Sequence, residues 1–324
     1  MPEEPIHQAH DKLFKTGFSD PTNAAGLLRN EIPATVAERI DWERLQLEPG
    51  SFIDSHFRQS ESDLLFSAPI EGRDCLLYIL FEHQISEDKQ IALRLLRYMV
   101  RIWEARIKDC PGDPLPVILP VVLAQNDKVW NLAPEFSALL DLPSDLADAL
   151  CPFIPDFHFR LLQLAEVPFE SLAAIAGTPA GIMILRVMKA ERSNSLLGDA
   201  VWDETILTKL PREIMELVIR YMLATDLDKD AFSRRVEAIQ ARELRDTTMT
   251  LADQFREEGL EKGLQKGRQM GLQDGILEAL EIRFDHVPGG LAEAIRQIHD
   301  DARLRSLHRA AIKADSLEIF AKNL

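Results

Sequence analysis

The chain has 324 residues, 46% of them hydrophobic, and its 53 acidic and 37 basic side chains give a formal net charge of -16. This length and composition predict a globular protein with a substantial core, organised as roughly two domains or as one elaborated domain. The acidic balance opposes non-specific attraction to nucleic acid over the whole surface, and no apolar run approaches the ~18 residues of a membrane span.

The first residues and the cysteines bear on the compartment. The Met-Pro-Glu-Glu start lacks the basic segment that opens a secretory signal. Cys75, Cys110 and Cys151 lie far apart and form no CxxC pair. We interpret them as reduced core thiols, and we expect a cytoplasmic protein without a membrane segment.

The first third of the chain predicts helices followed by a β-hairpin. The helices cover 22–31 and, after Pro33, residues 33–40. Two apolar stretches at about 61–69 and 75–84 are typical of strands. Between them, Gly72-Arg73 predicts a type II′ turn, in which glycine supplies the positive φ.

This turn brings acidic side chains together. Its register sets Asp63 directly opposite Glu82, and alternation puts Gln84 on the side of Glu82, next to Glu61 across the pair. His83 points to the other side. Carboxylates are almost never buried without a partner, so two opposed acids on an apolar hairpin predict a divalent-metal site. The alternative is a structural pairing of these acids with neighbouring Lys or Arg.

A helix and a strand follow the hairpin. Ser86 predicts a helix N-cap, with Glu87 and Asp88 in the first turn, and the apolar stripe continues to about Lys108. The β-branched run 117–123 predicts a core strand, in which Pro120 requires a bulge or an edge. The basic residues of this helix offer a local positive surface: Lys89, Arg94, Arg97, Arg101, Arg106 and Lys108.

The remaining sequence favours helices. Residues 135–240 read as a helical extension punctuated by prolines, and residues 291–323 as short helices. Between them, glycine recurs with a strict four-residue period at 259, 263, 267, 271 and 275. Each glycine inside a helix costs up to ~1 kcal/mol relative to alanine, so close packing against another helix is one interpretation. A low-complexity linker helix is the other.

Several short sequence motifs resemble motifs that occur in the same order in one bacterial family. They are HDKLFK at 10–15, Asp20-Pro21, Ile32-Pro33, LQLEPGSF at 45–52, ESDL at 61–64, EHQ at 82–84 and RLLRY at 94–98. The chain is similar to the recombination-promoting nuclease (Rpn) family, also described as YhgA-like or as putative transposases. Its Asp63 and Glu82-x-Gln84 resemble the PD-(D/E)XK nuclease pattern, with Gln in place of the usual Lys. One motif differs from the family pattern. The family often carries Tyr-His-Gly before a Trp, whereas this chain has Ala124-Gln-Asn-Asp127 before Trp130.

The resemblance implies a site and its chemistry. Asp63, Glu82 and the main-chain carbonyl of His83 would bind Mg²⁺, or another divalent cation such as Mn²⁺ or Ca²⁺, and Gln84 would orient the attacking water. Glu31 and Glu61 are candidate supporting acids, Glu31 having the alternative of a solvated helix end. Arg94 matches the family's arginine and either binds phosphate or pairs with an acid.

The implied fold is α/β, with a restriction-endonuclease-like core at 1–135, a helical extension at 136–245 and a glycine-repeat helical tail at 246–324. The implied function is metal-dependent hydrolysis of DNA phosphodiester bonds by an endonuclease that promotes recombination. A homodimer formed through the tail is expected from the glycine repeat. The alternative is a non-catalytic assembly protein on a nuclease-like scaffold, which the acidic surface favours.

Overall fold

A computed structural model describes residues 6–49, 64–71, 73–141, 143, 145–322 and 324, without the side chains of 6–8, 73–82 and 262. The fold is mixed α/β and mostly helical. The chain forms two compact units, which divide between Ala252 and Asp253. The first unit contains both the predicted nuclease core and the predicted extension, and the boundary at 135/136 stays a prediction.

The chain opens with the helices α1 (Ile6–Phe18), α2 (Pro21–Glu31) and α3 (Ala34–Ala37). The Asp20 side chain caps α2 by accepting from the Thr22 N–H at 2.8 Å, as the Asp-Pro word favours. The predicted helix 33–40 is wrong beyond Ala37. There the chain turns toward the sheet, because Ile40 forms a β-bridge with Ile70.

One five-stranded sheet follows in the order β1-β2-β3-β4-β5. The strands are β1 (Gln46–Leu47), β2 (Leu64–Ile70), β3 (Arg73–Gln84), β4 (Val117–Ala124) and β5 (Arg160–Gln163). The first three strands are antiparallel, whereas β3, β4 and β5 are parallel. The strand β5 corrects the expectation that the whole stretch 135–240 is helical.

The hairpin turn lies one residue earlier than predicted. Ile70 pairs with Arg73, so Arg73 belongs to β3 rather than to the turn, and the register shifts between Pro69 and Ile70. Glu71 carries the positive φ, 53°. Arg39 holds it there, since Glu71 N–H donates to the Arg39 carbonyl and the two side chains form an ion pair, both at 3.0 Å.

The helix α4 (Ile91–Asp109) connects β3 to β4. Its predicted start at Ser86 is wrong, because the N-cap position is occupied by Gln90. Asp88 ends the preceding loop instead, where its side chain accepts from the Gln90 N–H at 2.8 Å. This local bond competes with an earlier helix start, as Asp side chains commonly do.

Pro120 lies inside β4 at a position that is locally an edge. The Ala124 carbonyl accepts from Leu164 on the β5 side, so by alternation the main chain of Pro120 also faces that side. The first residue of β4 that pairs with β5 is Val121. Pro120 therefore interrupts no ladder bond, as the predicted edge requires.

The rest of the first unit is helical apart from β5. Its α-helices are α5 (Ala147–Leu150), α6 (Leu172–Ala176), α7 (Pro179–Arg192), α8 (Glu204–Leu207), α9 (Arg212–Ala224) and α10 (Lys229–Glu237). Short 3-10 helices occur at Trp42–Arg44, Phe136–Leu139, Cys151–Phe153 and Phe169–Ser171. Cys110 is half-buried and Cys151 is exposed, both as free thiols, so the prediction of a core position is wrong for Cys151.

The tail unit contains a small helical core. It comprises α11 (Arg242–Phe284) from Asp253 onward, with α12 (Gly289–Arg296), α13 (Asp301–Lys313) and α14 (Leu317–Ala321). Its buried centre includes Ile276, Leu280, Leu304 and Phe320. Among the described residues, no helix combines the length and apolarity needed to cross a lipid bilayer.

Candidate active site

The β2–β3 hairpin has the register that the site requires. Leu64 pairs with Phe81, and the same register continues without a break to Pro69 opposite Leu76. Although the turn itself was predicted one residue too late, the shift next to Ile70 restores this register. The predicted register is therefore confirmed from the pair Leu64 and Phe81 to the pair Pro69 and Leu76, and it is wrong at Ile70.

The predicted metal ligands are described only in part. Asp63 and Glu61 lie outside the described residues. Glu82 lies in β3 and pairs with Val122, and the structure describes its main chain alone. Within the described part of the chain, no group of three or more His, Cys, Asp or Glu side chains could hold a metal ion. The carboxylate centre thus stays a prediction.

His83 and Gln84 end β3 on opposite faces of the sheet. The His83 ring is buried against α1, where Nδ1 lies 3.3 Å from Asp11 Oδ1 and the ring stacks on Phe14 with centroids 5.1 Å apart. Its Nε2 lies 3.0 Å from Gln125 Oε1. Because neighbouring side chains alternate, the half-buried Gln84 lies on the other face, toward α4.

The main chain alternates at the same point. The Gln84 carbonyl accepts from the Gln125 N–H at 2.7 Å, so it faces β4. The His83 carbonyl consequently faces the β2 side, beyond the pair formed by Leu64 and Phe81. The predicted ligand Asp63 immediately precedes Leu64 in the sequence.

A buried polar cluster occupies the α1 face of the sheet; its members are His10, His83, Gln125, Glu191 and Tyr221. Tyr221 Oη lies 2.7 Å from His10 Nδ1 and 3.0 Å from Gln125 Nε2. Gln125 Nε2 also lies 3.3 Å from Glu191 Oε2. The cluster joins α1, the ends of β3 and β4, α7 and α9 through polar contacts inside the core.

Burial raises the pKa of two members of this cluster, Glu191 and Tyr221. Desolvation raises the pKa of Glu191, while the Arg192 charge and the Gln125 hydrogen bond oppose that rise. Desolvation, followed by the nearby Glu191 charge, raises the pKa of the Tyr221 phenol far above its usual range. Tyr221 is therefore a neutral hydroxyl at any physiological pH, able to donate and to accept a hydrogen bond.

Glu31 is a paired acid rather than the solvated helix end considered as its alternative. It is the last residue of α2 and is 8% exposed, and its Oε2 lies 3.4 Å from Arg160 Nη2. Burial raises the pKa of Glu31, and Arg160 opposes that rise. Since Arg160 pairs with Val121, which pairs with Phe81, it lies on the face of His83 rather than that of Gln84.

Arg94 pairs with an acid, one of its two predicted roles. Its Nη1 lies 3.2 Å from Asp88 Oδ2, with both side chains partly exposed. Two other basic residues of α4 form exposed or partly exposed ion pairs, Arg101 with Glu104 and Arg106 with Asp113. The side chains of Arg97 and Lys108 on α4, and of Lys89 just before it, are also exposed, so this region presents several cations to solvent.

Sequence reasoning missed most of the buried polar cluster. His10 and His83 stood out in the words HDKLFK and EHQ, but their spacing gave no contact between them. Gln125 was visible only as a departure from the Tyr-His-Gly word. Glu191 and Tyr221 carried no signal, because they reach the cluster from helices that follow far along the chain.

Comparison with protein families gives one match. The model of the family "Putative transposase, YhgA-like" matches residues 8–231, more than half of the chain. No solved structure matches the chain significantly.

Curated relatives come from Escherichia coli. Recombination-promoting nuclease RpnD of strain O157:H7 is 25% identical over 77% of this chain and 94% of its own length. Recombination-promoting nuclease RpnA of strain K12 is 27% identical over 77% of this chain and 84% of its own. The inactive recombination-promoting nuclease-like protein RpnE is also 27% identical, over 80% and 85%.

Proposed function

Because this chain belongs to the YhgA-like family of putative transposases, we propose that it is a metal-dependent DNA endonuclease that promotes recombination. The proposal rests on one observation above all. Continued by one residue beyond Leu64 and Phe81, the observed β2–β3 register would set Asp63 opposite Glu82. The relatives named as nucleases support the same activity.

The fold of the first unit supports a PD-(D/E)XK-like core. The order of its elements is helix, antiparallel hairpin, helix α4 and parallel strand β4, with the glycine-repeat helix following in the tail. This order puts the ends of β3 and β4 side by side. The Glu82-His83-Gln84 segment lies at that end, held by the bond from Gln125 to Gln84.

The donor set suits a hard divalent cation such as Mg²⁺, Mn²⁺ or Ca²⁺. Asp63 and Glu82 supply carboxylates, and the His83 carbonyl, directed away from β4, supplies a neutral oxygen; such oxygens are the ligands these ions prefer. A bound cation would lower the pKa of a water and neutralise charge that develops on the phosphate oxygens. The buried His83 ring would take no part in this.

Gln84 would position the reacting water. Its amide can accept a hydrogen bond from the water and donate one to a phosphate oxygen, but it brings no positive charge. Hydrolysis adds the water across one P–O bond, so the water oxygen joins phosphorus and the leaving oxygen takes up a proton. The exposed cations of α4 would attract the DNA backbone locally, against the net charge of -16.

A nicking assay on supercoiled plasmid tests the proposal. We expect nicking with Mg²⁺ and none with EDTA, and we expect Asp63→Ala and Glu82→Gln each to abolish it while the protein stays folded. Glu104→Gln is the matched control, since Glu104 is an exposed acid paired with Arg101 on α4. Full activity in either site variant would remove the assignment.

We further propose that the tail forms a homodimer through the glycine strip. A Cβ added at Gly259, Gly263, Gly267 or Gly271 meets nothing within 4 Å, and Leu260 and Leu264 beside them are 65% and 68% exposed. Alanine at Gly263, Gly267 and Gly271 should therefore strengthen the helix but obstruct a close contact between two copies. Light scattering decides: a dimer that survives the triple change shows that the glycines serve only as a helical linker.

One observation favours a second function. A relative that covers most of this chain is named inactive, which is consistent with a nuclease-like scaffold that serves assembly. The net charge of -16 points the same way. A folded protein that neither nicks plasmid nor binds Mn²⁺ but self-associates in light scattering would support this alternative.

A further inference from the structure

Gln125 contacts four elements within the buried polar cluster, namely β3, α1, α7 and α9. It follows the last residue of β4 and is fully buried. Its main-chain N–H donates to the Gln84 carbonyl at 2.7 Å, one step beyond the end of the β4 strand. Its side chain lies against the His83 ring on one side and against α1, α7 and α9 on the other.

The orientation of this amide follows from its neighbours. Gln125 Nε2 lies 3.1 Å from the Met188 carbonyl, which can only accept, so the NH₂ group must point there. The Gln125 Oε1 consequently points to His83 Nε2, at 3.0 Å, and accepts a hydrogen bond from it. The His83 Nε2 thus donates to Gln125, and the rotation of the ring is fixed by Gln125, by the contact of Nδ1 with Asp11 and by the stack on Phe14.

We propose that Gln125 is a positioning residue for the metal centre, which it serves by holding both the ring of His83 and the carbonyl of Gln84. This inference rests on the proposed nuclease function. A residue fixed by its ring and by its neighbour's carbonyl has little freedom to rotate its own peptide. Gln125 thereby orients the His83 carbonyl toward the metal and presents the Gln84 amide on the opposite face of the sheet.

The test uses the full-length chain and Mn²⁺ as the probe. Gln125→Met keeps the length of the side chain but removes its polar atoms. We expect the Mn²⁺ dissociation constant, measured by electron paramagnetic resonance, to rise about 10-fold, as is typical when a partner of a metal ligand is removed. The Michaelis constant for plasmid should stay unchanged while kcat falls. Hydrogen exchange of the amides at 83–85 should accelerate, a readout that needs no metal.

Tyr221→Phe is the matched control. It removes a hydroxyl from the same cluster but leaves the contact of Gln125 with His83 and Gln84, so its Mn²⁺ affinity should match the wild type. His83→Phe is the second variant, in case Gln125→Met fails to fold, because it retains an aromatic ring over Phe14 and removes the same hydrogen bond. It should weaken Mn²⁺ binding to a similar degree, and the double variant should be no worse than either single one.

Each outcome separates this inference from the proposed function. Faster exchange at 83–85 with wild-type Mn²⁺ affinity would make Gln125 a merely structural residue and overturn the inference, while the nuclease assignment stands. The same holds if both variants bind Mn²⁺ normally and exchange normally. A wild-type chain that binds no Mn²⁺ overturns the proposed function and the inference with it, whatever exchange shows.

Discussion

Both faces of the sheet are buried against apolar side chains, and the face toward α1 carries the buried polar cluster in addition. Toward α4, the cluster around Leu65, Leu95 and Val122 consists of apolar side chains. Toward α1, the buried polar cluster places two histidines, an amide, a phenol and a carboxylate in the core. Apolar contact is non-directional and sets how stable a face is, whereas hydrogen bonds are directional and set where its atoms lie.

The largest difference between the faces should appear in stability. Leu95 is fully buried on α4, so Leu95→Ala should lower the free energy of unfolding by roughly 2–5 kcal/mol, through lost burial and a cavity. Urea denaturation measures this. On the same helix Val100 is 41% exposed, and Val100→Ala should cost within about 0.5 kcal/mol. Equal losses of unfolding free energy in the two variants would show that burial of Leu95 does not set the stability of the α4 face.

The second prediction concerns Gln84, the polar group that reaches the α4 face. Gln84→Leu should reduce nicking at least about 100-fold, the order of loss when one oriented donor is removed from a reacting centre. Gln84→Lys should retain partial activity, because an ammonium also orients water and adds charge. Plasmid nicking at saturating Mg²⁺ compares the three proteins. Equal rates in all of them would place Gln84 away from the chemistry.

The third prediction addresses the polar face. Tyr221→Phe removes the hydroxyl that lies 2.7 Å from His10 Nδ1, and it should cost about 1 kcal/mol of unfolding free energy, the usual net worth of a buried hydrogen bond. Urea denaturation again provides the measurement. A loss as large as that of Leu95→Ala would mean that the polar face carries the stability as well, which removes the contrast between the faces.

The smallest expected effect is a pH dependence. Burial raises the pKa of Glu191 above its ordinary value of 4.5, so its contribution to stability is fully present below pH 4.5 and is lost as pH rises through the raised value. Glu191→Gln cannot ionise, so its melting temperature should gain on the wild type as pH rises from 4 to 8. Glu216→Gln is the control, because Glu216 is a partly exposed acid that pairs with Arg212 on α9. A constant difference across this range contradicts the prediction.

The sequence predicted the apolar half of this architecture well, because alternation and helical periodicity are local. The two-residue period located the hairpin strands and their register, and the apolar stripe of α4 ended where the structure ends it. The start of α4 was predicted less accurately than its end, because the Asp88 side chain accepts from the Gln90 N–H in a loop rather than in a helix. The strand β5 was not predicted, because its four residues form a strand by pairing with β4 and carry no distinctive pattern of their own.

The polar half could not be predicted in the same way. His10 contacts Gln125 and Tyr221, which lie 115 and 211 positions away in the sequence, and no spacing rule connects them. A buried polar residue is identified by its partners, and those partners are known only once the helices are packed. The candidate site shows the same difference. The position of its acids was predicted from strand register, whereas the contacts that hold His83 are known only from the tertiary structure.

The contact between His10 and Tyr221 has a consequence for the order of events during synthesis. The two residues are 211 positions apart, so at a translation rate of about 5–20 residues per second α1 leaves the ribosome roughly 10–40 s before its partner exists. Until α9 emerges, the side chains of His10, His83 and Gln125 are hydrated or transiently paired, because Tyr221 has not yet been synthesised. A nascent chain therefore completes the β2–β3 hairpin early and the buried polar cluster late, because the cluster forms only after most of the first unit has been made.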